Sequence, residues 1–184
     1  MTTPPADRTP RQWALARAVS DIDDHVAALP WDGPVHLFAL IRTAEAIATD
    51  EQFAAELPAS IKIEADGDAE HLTSVEQDEL PEVADLEELL ACIAWPEAVA
   101  GAAIVTERIV LPPEAEAEVA ASDDPEAYLT HPKREDVRMV VGVLRTGETW
   151  TVLRMRHHSQ DVMGGEDLVP GLTAALAATF EDID

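Results

Sequence analysis

A chain of 184 residues with 37 acidic and 12 basic side chains carries a formal net charge of −25, which removes nucleic acid and anionic membranes from the expected partners. Hydrophobic residues make up 47% of it, enough to build a core and too many for a disordered acidic chain. With no apolar run of about 20 residues, no signal-peptide order in Met1 to Thr9 and a single cysteine, the expected setting is cytoplasmic, without a membrane span or an internal disulfide.

Residues 1–8 read as a disordered start, followed by one domain over 9–184. Thr9 offers an N-cap oxygen and Pro10 fits a first helical position, ahead of an apolar stripe at Leu15, Val19, Ile22, Val26 and Leu29. Pro30 stops that helix, and Asp32-Gly33-Pro34 makes a turn. Val35 to Ile41 reads as a strand, and Ala44 to about Leu57 as one helix. Ile61 and Ile63 alternate with polar residues as a brief strand would, Asp66-Gly67-Asp68 is a turn, and Leu72 to Leu80 is a further strand.

Asp85 with Glu88 has the spacing of a capping box, opening a helix that carries Leu86, Leu89, Leu90 and Ile93. Cys92 lies in that pattern and is expected to be a buried, inert thiol. Val99 to Leu111 is the longest strand. Pro112 to about Lys133 is acidic and rich in proline, an insertion with at most one helical turn. Val137 to Leu144 and Thr149 to His157 then form a hairpin, Met163-Gly164-Gly165 breaks the chain, and a last helix spans about Leu168 to Phe180. The fold class is α+β, a mainly antiparallel sheet with packed helices.

The hairpin carries the functional argument. With Thr146-Gly147 as a two-residue turn, Val143 pairs with Trp150, Val141 with Val152 and Met139 with Arg154. Val140, Gly142, Leu144, Leu153 and Met155 then occupy the opposite face. Both faces are apolar, so each needs a cover, supplied by helices on both sides or by a helix and a second subunit. Val141, Val143, Trp150 and Val152 are the expected interaction surface.

Chemistry-bearing patterns are few. His157, His158 and Asp161 lie close in sequence, but adjacent residues of an extended chain point apart, and no metal site is expected. Asp66, Asp68 and Glu70 share the alternate spacing of calcium loops without the rest of the loop. Nucleophile elbows and phosphate-binding glycine loops are missing, and no cofactor or catalytic residue is assigned. Seven of the twelve bases fall between Arg108 and Arg156, and arginine suits bidentate capture of an anion. Arg138, Arg154 and Arg156 are therefore candidate ligand-binding residues, the competing reading being that they pair with the chain's own acids. Trp31 and Trp95 border proline turns, where they pack or form a contact patch.

The stretches His36 to Leu40, Ile93 to Gly101 and Asp167 to Leu172 resemble an uncharacterised family of small actinobacterial proteins, to which no activity is attached. The order of elements is similar in outline to that of type III secretion chaperones, small acidic proteins that often dimerise. The expected function is a non-enzymatic interaction or chaperone-like module, as a homodimer or with a protein partner. The alternative is a small-molecule or anionic-ligand binding protein, or an enzyme, that uses the arginines of the hairpin.

Overall fold

Thr9 opens the first helix as its neighbours require. Its Oγ1 accepts from the Gln12 N–H, the Gln12 side-chain oxygen accepts from the Thr9 N–H, and Pro10 occupies a position where no backbone donor is lost. The computed structural model describes residues 7–181; residues 1–6 of the expected disordered start lie outside them. Helix α1 (Pro10–Ala27) lays Leu15, Val19, Ile22 and Val26 onto a six-stranded sheet.

The strands are β1 (His36–Arg42), β2 (Leu72–Glu76), β3 (Gly101–Val110), β4 (Glu135–Leu144), β5 (Thr149–Met155) and β6 (Val162–Gly165). Their order is β2-β1-β3-β4-β5-β6, and every neighbouring pair is antiparallel. The protein is thus an α+β fold.

Because side chains alternate along a strand, the sheet has two distinct apolar faces. Phe38, Leu40, Ala103, Val105, Val140, Leu144, Trp150 and Val152 meet α1. Leu37, Ala102, Ile104, Val141 and Val143 meet Leu90 of α5 (Leu86–Ala91) and Leu172 and Leu176 of α8 (Pro170–Ala178). Helices of the same chain therefore cover both faces, and this is why β3 and β4 are near-continuous apolar runs. Burying each of the larger side chains stabilises the fold by about 1.5–3 kcal/mol. Gly142 lets α1 sit close, since a Cβ there would meet Val19 and come within 3.0 Å of Leu15.

The hairpin differs from expectation by one residue. Leu144 N–H donates to Glu148 O, leaving a three-residue loop of Arg145, Thr146 and Gly147, with Gly147 at φ +106°. A glycine in that left-handed region closes a three-residue loop, whereas a two-residue turn needs positive φ at its first central residue as well or instead. Val143 consequently pairs with Thr149, Gly142 with Trp150, Val140 with Val152, and Arg138 with Arg154. A shift of one exchanges the faces of one strand relative to the other.

Other expectations are corrected in the same way. Ile61 and Ile63 lie in helix α4 (Ala59–Gly67), because Pro58 starts a helix and two alternating residues are too few to hold a strand. The expected helix over 44–57 is two, α2 (Thr43–Thr49) and α3 (Glu51–Glu56), broken where extended Asp50 accepts from the Gln52 and Phe53 N–H groups. The acidic insertion folds into α6 (Pro113–Ala120) and α7 (Ala127–Thr130). Met163-Gly164-Gly165 is part of β6, not a break, and Leu168 lies outside α8. Cys92 caps the end of α5 and is exposed, because the buried side of that short helix is Leu89 and Leu90.

Candidate functional site

The four residues expected to form an association surface are interior. Val141 and Val143 face α8, Trp150 and Val152 face α1, and all four are buried. The corrected register splits them between faces, and helices already cover both.

That register also gathers the candidate arginines. Arg138, Arg154 and Arg156 project from one face of the hairpin toward α1 and the loop after it, where sequence spacing had put Arg154 beside Met139. Each meets a carboxylate of the chain. Arg154 binds Asp23 of α1, with Nη2 2.5 Å from Oδ2 and Nε 3.1 Å from the same oxygen. Arg138, almost fully buried, donates to Glu107 at 2.9 Å and to the carbonyls of Val26 and Pro30 where α1 ends. Arg156 bridges Asp136 at 3.0 Å and Asp32 at 3.1 Å. The hydrogen bonds that Arg154 donates to Asp23, and Arg156 to Asp136 and then Asp32, raise both guanidinium pKa values further. These arginines fasten the end of α1 to the sheet.

Trp31 is held in this network, its ring 4.6 Å from the Arg138 guanidinium and 5.6 Å from that of Arg156. Trp95 instead packs on Phe180, with ring centroids 5.9 Å apart, and donates to Thr179. Asp32 takes φ +64°, and its N–H donates to Glu107 at 2.8 Å. A non-glycine residue in the left-handed region needs such an anchor.

Beside Asp32 opens a cleft of about 680 Å³. Its floor is β3 from Thr106 to Ile109, beyond the point where β1 pairing ends at Val105. Tyr128, whose hydroxyl donates to the Ile109 carbonyl, Arg134 and Asp136 form the far wall. Arg108 of the same strand turns to the opposite face, beside Asp85, Glu87, Leu90 and Leu172, is exposed, and forms no ion pair or side-chain hydrogen bond among the described residues. Asp23 and Glu107 escaped notice as site residues because their partners come from distant segments.

The sheet has a second open feature. β6 is an edge strand that pairs only with β5, and Val162 and Met163 on it are exposed. Met163 lies opposite Leu153, which is partly buried, and Asp161, Glu166 and Asp167 flank the strand.

The histidine and calcium patterns do not converge among the described residues. His157 and His158 are exposed between β5 and β6, and Glu70 is engaged by Arg42 at 3.0 Å and Arg11 at 3.4 Å. No group of three or more His, Cys, Asp or Glu side chains is arranged to hold a metal among the described residues.

Residues 15–181 match the family described as PPA1309-like protein. No curated protein and no solved structure matches the chain.

Proposed function

We propose that this chain, which belongs to the PPA1309-like protein family, an uncharacterised one, is a non-enzymatic cytoplasmic interaction module that takes an extended, basic segment of a partner protein onto β6. The observation that carries the reading is the open edge of β6: alternate backbone N–H and C=O groups of an edge strand point outward, ready for another strand. Val162 and Met163 supply apolar contacts there, and the flanking acids in a chain of charge −25 favour lysine and arginine in the added strand. Pairing with a second copy is disfavoured, because it would bring two such acidic surrounds together. The same charge argues against nucleic-acid and membrane partners.

No helix of the described residues is long and apolar enough to cross a membrane, and the lone cysteine fits a reducing compartment. Ten arginines against two lysines, with an alanine-rich composition, support an actinobacterial source. The alternative of anion capture by Arg138, Arg154 and Arg156 loses support, because those side chains already bind Glu107, Asp23, Asp32 and Asp136.

The test is titration of the purified chain with a labelled peptide of alternating lysine and valine, beside one of alternating glutamate and valine. The basic peptide should bind, more weakly as salt rises, and Met163→Lys should reduce affinity by about tenfold through lost apolar contact and like-charge repulsion. Equal binding of both peptides, or an affinity indifferent to Met163→Lys, removes the reading; a dimer seen by sedimentation and lost in Met163→Lys would replace it with self-association.

A further inference from the structure

We infer that the slot between Trp13 of α1 and Trp150 of β5 is a binding site for an arginine side chain of the segment that pairs with β6, and that the chain's own Arg8 fills it until that arginine arrives. The inference rests on the β6 reading and names the residue that such a segment must carry.

The Arg8 guanidinium lies 4.8 Å from the Trp13 ring centroid and 4.4 Å from that of Trp150. Each ring attracts the cation through its quadrupole. Arg8 forms no ion pair and no side-chain hydrogen bond among the described residues, so exchange for another guanidinium breaks only the ring contacts. The planar guanidinium suits such a slot, whereas an ammonium group stays more strongly hydrated.

The slot opens toward β6. Trp13 is 57% exposed and Trp150 only 7%, so Trp13 is the outer wall. The Trp150 indole lies over Gly164 of β6, where a Cβ would come within 3.2 Å of the ring. Glycine at that position lets the indole extend from β5 onto the edge strand. Gly164 pairs with Val152 and shares its face, the one turned to α1. A strand added outside β6 would set alternate side chains on that same face beside Gly164, and a long one reaches its diagonal neighbours.

The start of α1 is fastened at this end of the sheet. Gln12 donates through Nε2 to the Glu166 side chain at 3.3 Å, and Thr149 Oγ1 donates to the Glu166 carbonyl at 2.6 Å. Trp13 is thereby held near the end of β6. Glu166 and Asp167 follow that strand directly, and their charge favours a cation in the slot over a neutral side chain.

Titration of the whole chain with labelled peptides of alternating arginine and valine, and of alternating lysine and valine, tests this by fluorescence anisotropy. Arg8→Ala empties the slot and should tighten the arginine peptide by about threefold, with a smaller gain for the lysine peptide. Adding Trp13→Ala to Arg8→Ala should bring the two peptides to equal affinity. Trp13 is largely exposed, so this variant should keep the parental thermal midpoint. Binding of the arginine peptide that is unchanged or weaker in Arg8→Ala, or a preference for arginine that survives Trp13→Ala, overturns the slot. Lysine-peptide binding that is lost in Met163→Lys but gives no arginine response in Arg8→Ala leaves the β6 reading standing and removes this inference alone. Failure of both peptides to bind the parent and Arg8→Ala removes both.

Discussion

Arg154 of β5 and Asp23 of α1 form a partly buried, two-point ion pair across 131 positions of sequence. Asp23 is 2% exposed and lies within the helix, where a lone carboxylate has no water to turn to. The pair stands at the last turns of α1, and with the Arg138 contacts to the carbonyls of Val26 and Pro30 it sets where the helix ends over the sheet.

Removing one partner is therefore worse than removing both. Arg154→Ala should destabilise the fold by about 3 kcal/mol, because it leaves the Asp23 charge buried and unpaired. Asp23→Ala with Arg154→Met should cost clearly less, since no orphan charge remains. Urea unfolding with an unchanged slope measures both, and equal losses would show that packing and not the stranded charge dominates.

Gly142 marks the closest approach of α1 to the sheet. Gly142→Ala inserts a Cβ that meets Val19 and comes within 3.0 Å of Leu15, both fully buried. The helix must shift outward, at a cost of about 1–3 kcal/mol. A lowered urea midpoint is expected, and an unchanged one would mean that α1 sits more loosely than its contacts indicate.

Asp21, on α1, has its pKa raised above 3.8, first by partial desolvation and then by Asp24, with Glu64 adding to the shift and Arg17 and His71 opposing it. A raised carboxylate pKa means that the folded chain holds a proton over a window just above 3.8 in which the unfolded chain has lost it. Stability falls as pH rises through that window, so the ionised side chain is a small burden at pH 7. Asp21→Asn should stabilise the fold at pH 7 by about 0.5 kcal/mol or less, because the group is near solvent, and this is read as a small rise in the thermal midpoint. The advantage should close as pH falls below 3.8, where the parent becomes protonated in both states. A difference that is constant over this range would assign the gain to the amide itself.

Local signals placed much of this structure. Thr9-Pro10 and Asp85 with Glu88 marked helix starts that the hydrogen bonds bear out, because a cap is formed by residues three positions apart. The apolar stripe of α1 and the long runs of β3 and β4 were equally readable, since periodicity records burial. The demand that both hairpin faces be covered held as well, and helices α1 and α8 meet it. Weak, short patterns failed: Ile61 and Ile63 were two residues, and β6 has two glycines in four positions.

The candidate site was legible only as composition. Arg138, Arg154 and Arg156 stood out as a cluster of bases in an acidic chain, but their partners Glu107, Asp23, Asp32 and Asp136 come from four separate segments. Among 37 acids no spacing could single those four out.

Residue order alone determined the acidic surface, the elements with strong periodicity and the need for two covering layers, because charge, caps and amphipathic faces are properties of near neighbours. Tertiary structure decided the hairpin register, and with it which face each arginine takes. A change of one residue in loop length inverts a strand, and the difference between those two loops lies in how Gly147 bends under the load of a packed core. The same long-range packing left β6 open, joined Asp32 to Glu107 and set Arg8 between Trp13 and Trp150.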